Sequence, residues 1–327
     1  MASIKDVAKE AGVSVATVSR VINKKGVCAP STVEQVMSAV EKLGYKPNLF
    51  GKALRRSQTN IIMVMLSSLA NTFCSRVIHA IDKIAGKSGY HVMVCTTEGI
   101  RSKEEYYTTF ACNGLFDGII ILNSSLSKEE MVSLSSQIPV VQCNEYIDTE
   151  NTPYVTIDNK KAAFDAVNLL IKNGRRNIAF YTVNNDLIST KERFAGYKEA
   201  LEKNGIAFDE DLVIYGNYGY RNAVTMFENF IYKEIAFDSV FAISDRMAAG
   251  ALSVLNDKGI SVPDEVEVIG FDNTDISYTS KPMLTTVSQP HYELGSKAFT
   301  QLKSLIDGKK PDNIVLSHKI MARESTK

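Results

Sequence analysis

Beyond residue 60, short runs of β-branched and aliphatic residues alternate with stretches of helical periodicity, and the alternation occurs twice. Runs at 61–66, 91–96, 118–122 and 139–142 read as strands, with helices expected over 75–87, 102–112 and 127–136. A second series predicts strands at 177–182, 212–215, 239–243 and 267–271, and helices at 160–173, 190–204, 221–232 and 246–258. Strands separated by helices pair in parallel, because a chain returning to the same edge needs a crossover. The expected fold class is therefore α/β, with two parallel lobes whose ligands sit at the carboxyl ends of strands. The longest apolar run spans residues 61–66, six against the roughly 20 that a bilayer demands. Lys5, Asp6, Lys9 and Glu10 occupy the place where a signal peptide would carry an apolar block, so a cytoplasmic protein without a membrane partner is expected.

Net charge is zero, with 37 basic and 37 acidic residues, but the charge is unevenly spread. The first 60 residues hold ten Lys and Arg against four Asp and Glu, a net of +6 that leaves the rest at −6. In this basic head Ile4, Val7, Ala8 and Ala11 recur at helical spacing, Gly12 breaks the pattern, and Ser14 is placed to cap a second helix. Val15, Val18, Val21 and Ile22 form the apolar stripe of that helix, with Ala16, Thr17, Ser19 and Arg20 facing elsewhere. Two helices joined by a short turn containing glycine is the helix-turn-helix pattern. Val33, Val36, Val40 and Leu43 predict a third helix, whose start after Pro30 carries Ser31 and Glu34 at capping-box spacing. Arg20 among short polar residues suits the major groove, since its guanidinium can pair bidentately with guanine. A three-helix segment with mixed faces is also a common structural unit, and periodicity alone leaves both readings open.

Cys28, Cys74, Cys95, Cys112 and Cys143 are odd in number and widely spaced, so they read as small core residues rather than a disulfide or zinc framework. His79, His91, His291 and His318 form no metal-binding or triad spacing, and no glycine-rich phosphate motif follows a strand. Neither a cofactor nor catalysis is expected. Asp245 opens a helix after a strand, and capping is a sufficient explanation for it.

The sequence IKDVAKEAGVSVATVSRVIN at 4–23, followed by VEKLGYKPNLFGKAL at 40–54, resembles the headpiece and hinge of the LacI/GalR family of bacterial repressors. The resemblance implies that Val15, Ala16 and Arg20 read bases, with Thr17 on the same helix and Ser19, Asn23, Thr32, Tyr45 and Asn48 near the phosphate backbone. It also implies a hinge helix over 48–55 whose Ala53 and Leu54 enter the minor groove. Cys28-Ala29-Pro30 stands where the family usually has Val-Ser-Pro, which removes the usual cap hydroxyl. Further on, DGIII at 117–121, KERFAGYKEAL at 191–201, AISDRMAAGAL at 242–252, VEVIGFDNT at 266–274 and LTTVSQP at 284–290 extend the resemblance over essentially the whole chain.

The implied organisation is a headpiece at 1–46, a hinge and linker at 47–59, and a periplasmic-binding-protein-like core at 60–327. Its first lobe would take 60–159 and 291–319, and its second 160–288 and 320–327. Implied effector contacts are Asn71, Phe73, Arg193, Tyr218, Ser244, Asp272 and Gln289, while Asn144 stands where some members carry Asp. A guanidinium fork and a carboxylate suit adjacent hydroxyls or an anionic group, and rings suit a sugar face or a base. Arg193 as a solvated charge, Phe73 and Tyr218 as packing residues, and Ser244 and Gln289 as helix-start or linker residues are the competing structural readings.

The function expected is a DNA-binding transcriptional regulator, a repressor, governed by a small metabolite such as a sugar or sugar derivative. A homodimer on a pseudo-palindromic operator follows from the need to address two half-sites. Control by a purine or a phosphorylated partner protein as corepressor is the alternative, and a solute-binding protein without DNA function is the third reading. The groove-entry role of Leu54 is tested directly: Leu54→Ala should weaken operator binding in a gel-shift titration, because an inserted leucine kinks the duplex and gains contacts. Unchanged affinity would remove the wedge.

Overall fold

Ser3 and Ser14 begin the first two helices for one physical reason: a side-chain oxygen beside the unpaired amides of a first turn. In a computed structural model describing residues 2–23, 28–45 and 58–327, the chain divides into two units, 1–59 and 60–327. In the first, α1 (Ile4–Glu10) is closed by a reciprocal capping box between Ser3 and Asp6. Helix α2 (Val15–Ile22) is closed by Ser14, which accepts from the Thr17 amide. Gly12 turns the chain between them at φ +64°, a conformation that costs other residues more.

Helix α3 (Pro30–Lys42) departs from expectation. Pro30 takes the first helical position and Ala29 the boundary, without a side-chain cap, so Ser31 lies inside the first turn and its box with Glu34 does not form. Val7, Ala8, Val18, Val21, Val36 and Ala39 make the small core. Val15 and Val33, expected inward, are exposed, and Ala39 takes a buried place that the pattern did not assign to it. Residues 46–57, which include Asn48, Ala53 and Leu54, lie outside the described residues.

The second unit is built on two six-stranded sheets. In chain order its elements begin with β1 (Ile61–Leu66), α4 (Thr72–Lys87), β2 (His91–Thr96), α5 (Arg101–Ala111), β3 (Gly118–Ile121), α6 (Lys128–Ser135), β4 (Val140–Cys143) and β5 (Tyr154–Ile157). The chain continues through α7 (Asn159–Lys172), β6 (Ile178–Val183), α8 (Ile188–Lys203), β7 (Val213–Gly216), α9 (Tyr220–Ile231), β8 (Ser239–Ala242), α10 (Asp245–Asp257) and β9 (Glu267–Phe271). It ends with α11 (Ile276–Thr279), β10 (Thr285–Ser288), α12 (His291–Ile306), β11 (Ile314–Leu316) and β12 (Lys319–Met321). The sheet orders are β11-β5-β4-β3-β1-β2 and β12-β10-β9-β8-β6-β7. All described pairings are parallel except β10 with β12. Each order reverses direction once, between β1 and β3 and between β6 and β8, which opens a crevice at the strands' carboxyl ends.

The chain passes between sheets three times, at 157–159, 288–291 and 316–319. Strands β5, β10, β11 and β12 and helices α11 and α12 were not marked by the alternation, because they are short or lie near the crossings. Of the cysteines only Cys95 and Cys143 are buried; Cys28, Cys74 and Cys112 are half-buried, which corrects their reading as uniformly core residues.

Helices α7 and α8 pack closely at one glycine. A Cβ on Gly196 would lie 2.1 Å from the Lys160 carbonyl oxygen and 2.9 Å from Ala163 Cβ, so only hydrogen fits there. This approach sets the distance between Asn159 on α7 and Arg193 on α8. Because the obstacle is backbone and cannot rotate away, Gly196→Ala should destabilise the core by about 3 kcal/mol, the upper end of overpacking costs. Urea denaturation measures it, and an unchanged midpoint would show that the helices part freely.

Candidate effector and DNA sites

The second helix of the head offers one arc turned away from the core. At about 100° per residue, Val15, Ser19, Asn23, Ala16 and Arg20 fall within roughly 140°, while Val18 and Val21 point oppositely into the core. Val15, Ala16 and Arg20 are exposed. Asn23 Nδ2 donates to the Ser19 carbonyl at 2.7 Å, which orders the end of the arc. Thr17 lies off this face, with its hydroxyl 2.9 Å from Ser14 Oγ at the helix start. Thr32 and Tyr45 are half-buried, and Tyr45 packs on the small core.

Within the larger unit, a cavity of about 210 Å³ opens between the two sheets. Asn71 and Thr72, after β1, form one wall; Tyr218, Ser244, Asp245, Arg246, Asp272, Thr274 and Ile276, after β7, β8 and β9, form the other. Asn71 and Ser244 do double duty, since each also caps the helix it precedes, α4 and α10. Ser244 supplies the cap of α10, so the reading of Asp245 as a capping residue is corrected. The Asp245 carboxylate instead accepts from Thr274 N at 2.6 Å, Thr274 Oγ1 at 2.9 Å and Thr286 Oγ1 at 2.5 Å.

These bonds hold a strained turn. Asp272 and Asn273 have φ of +105° and +52°, values that non-glycine residues avoid unless their surroundings impose them. Asn273 N donates to Thr286 Oγ1 and its Nδ2 to Ser288 Oγ, which completes the restraint. Gln289 Nε2 donates to Asp272 Oδ1 at 2.7 Å and leaves Gln289 Oε1 buried without a partner.

Arg193 is buried behind this wall. Its Nε donates to Asn159 Oδ1 at 3.0 Å and Nη1 to the Ile243 carbonyl at 2.7 Å, and the guanidinium lies 3.6 Å from the Phe271 ring centroid. The reading of Arg193 as a solvated charge is thereby excluded. Phe73 is not in the cavity wall; it packs in the first lobe's core with its ring centroid 5.2 Å from that of His291. Tyr218 is the ring that reaches the cavity.

Sequence reasoning missed the residues that join the lobes. Arg246 Nη2 donates to the Ala70 carbonyl at 2.8 Å, Arg76 Nη1 to the Asn273 carbonyl at 2.8 Å, and Arg76 also pairs with Asp275. Glu145, after β4, accepts from Ser189 N and Oγ on α8. Their partners are distant in sequence, so no local spacing marks them. Among the described residues no group of three or more His, Cys, Asp and Glu could hold a metal, and no helix is long and apolar enough to cross a membrane.

Burial raises Asp272 to about 6 despite the Arg193 guanidinium, and burial together with the charge of Asp272 raises Asp245 to about 7. An unfolded Asp titrates near 3.9, so the folded core holds these protons more tightly. Their stabilising contribution is complete below about pH 4 and is lost as pH rises through about 6 and 7. Asp245→Asn should lower stability at pH 5 by removing acceptors, yet flatten the fall in melting temperature between pH 5 and pH 8. A slope equal to wild type would contradict the raised value.

Comparison with known proteins matches the fold of both units. Residues 3–48 match the model of bacterial regulatory proteins of the lacI family, and residues 167–326 match a periplasmic binding protein-like domain. The chain is 34% identical over 329 residues to catabolite control protein A of Priestia megaterium, covering 99% of each. It is similar to the lac repressor dimer bound to operator and the anti-inducer ONPF, with TM-score 0.88, 25% identity and 99% of each chain covered. A complex of the transcriptional regulator CelR with cellobiose matches with TM-score 0.75 and 29% identity over 99% of this chain and 100% of that one.

Proposed function

Because the chain belongs to the lacI family of bacterial regulatory proteins, whose members are DNA-binding transcriptional regulators with an effector-binding core, we propose that it is a repressor whose effector is a sugar or sugar derivative held between the core lobes. The observation that carries this reading is the cavity wall around Asp272. There a carboxylate with one oxygen held by Gln289, a tyrosine ring and the hydroxyl and amide groups of Ser244 and Asn71 face about 210 Å³ of space. Such a surface recognises hydroxyl groups through directed hydrogen bonds and a ring face through apolar contact. The cellobiose complex of a structural relative supports the same ligand class.

In this reading Asp272, Tyr218, Asn71 and Ser244 contact the ligand directly. Arg193 and Gln289 set the charge and orientation of Asp272 from behind, and Phe73 shapes the first lobe's side of the site. Val15, Ala16 and Arg20 read bases, and Ser19, Asn23, Thr32 and Tyr45 approach phosphates with Thr17 holding the helix start; Asn48, Ala53 and Leu54 complete the contact. Residues 1–46 are the reading head, 47–59 the link and 60–327 the core, and two copies address the halves of a pseudo-palindrome in the cytoplasm. In the same reading the chain regulates rather than catalyses, as do the relatives named as transcriptional regulators.

Effector binding alters operator affinity by favouring one arrangement of the lobes, a coupling typically worth 1–3 kcal/mol. A thermal-shift screen against sugars, sugar phosphates, nucleosides and purines tests the ligand class. A sugar at about 100 times its Kd should add roughly 2.7 kcal/mol of stability, and Arg193→Ala or Tyr218→Ala should abolish the shift. The same sugar should weaken a gel shift with operator DNA. Stabilisation by purines alone, or a strengthened gel shift, would replace induction by corepression.

A further inference from the structure

Helix α8 begins without a cap of its own. Leu187 stands at the boundary and makes no side-chain hydrogen bond to the first turn, although the exposed amides there need acceptors. The acceptor comes from the other lobe. Glu145 follows β4 of the first sheet, is buried, and takes Ser189 N on Oε2 at 3.1 Å and Ser189 Oγ on Oε1 at 2.5 Å. Asn144 Nδ2 donates to the same carboxylate at 3.0 Å and fixes it from its own side. Burial raises the Glu145 carboxyl, and the two Ser189 hydrogen bonds and the charge of Arg193, one turn further along α8, oppose that rise.

We propose that Glu145 is a positioning residue of the effector site: from the first lobe it caps the helix of the second lobe that carries Arg193, so the first turn of that helix is closed, and the guanidinium one turn along it steadied, while the lobes are together. The proposal rests on the reading of Arg193 as part of that site. A carboxylate is the right group for this task, since it accepts two donors at once and its negative charge complements the positive end of the helix dipole. Asn144, itself without charge, holds the carboxylate that its neighbour provides. Opening the cleft would leave both Ser189 donors and the charge of Glu145 to water, and would loosen the first turn of α8 at the same moment.

The test needs no ligand. Hydrogen exchange of the full chain, resolved over residues 186–193, should show Ser189 protected in wild type. In Glu145→Ala its exchange should accelerate at least about tenfold, on the scale of a hydrogen bond to a charged group, while peptides from both sheets keep their rates. The Arg193 Nε–H resonance, tied to Asn159 Oδ1, should shift or broaden in the same variant. Glu145→Gln keeps the size and one acceptor oxygen, so a smaller acceleration is expected there, and it serves as the test if the alanine variant does not fold. Unchanged exchange at Ser189, or equal acceleration across both sheets, would overturn the proposal; the second result would make Glu145 an ordinary stabilising residue. Silence in the sugar screen leaves this measurement intact, so the two readings fail separately.

Discussion

A guanidinium that leaves water must find partners for its donors, or the charge becomes prohibitively expensive. Arg193 finds the Asn159 amide oxygen, the Ile243 carbonyl and the face of Phe271, and these come from α7, the end of β8 and the end of β9. The site depends on that convergence. Asn159 sits within reach because Gly196 lets α7 and α8 touch, and Ile243 and Phe271 arrive because adjacent parallel strands end side by side. Moving any one of them would strand a buried charge.

Around this anchor the core concentrates carboxylates that other proteins would leave in water. Asp245 is tied to the Thr274 turn, Asp272 to Gln289, and Glu145 to Ser189, and burial raises all three above the usual carboxylate range. Each is kept by hydrogen bonds that a hydrocarbon could not make, so the polar cluster specifies the shape of the cleft more than it adds stability. The left-handed Asp272–Asn273 pair obeys the same constraint: its strain persists because Thr286, Ser288, Asp245 and Arg76 hold it from several sides.

Much of this was legible in the sequence, residue by residue. Alternating strand and helix periods placed β1, β2 and β9 at their observed limits, because each is a β-rich run bounded by turns. Arg193, Asp272, Tyr218, Asn71 and Ser244 were expected from the resemblance to the LacI/GalR family, and the structure places the last four in the wall of one cavity with Arg193 buried behind it. Other positions misled. Val33 fits an apolar stripe yet faces outward, since helix phase is set by the packing of Val36 and Ala39 rather than by the count of valines. Phe73 has the ring expected at a sugar site, but the core beside His291 claims it.

What is local or periodic can be read along the chain: the helix-turn-helix of the head and the two α/β series of the core. Those follow from spacing along one strand or helix, which neighbouring residues encode. Packing across the core settles that Glu145 meets Ser189, that Arg76 and Arg246 grip the opposite lobe, and that Asp245 braces a turn instead of capping a helix. These contacts join residues 29 to 199 positions apart, and a distance across a cleft is fixed by how whole sheets and helices pack, which no local pattern contains.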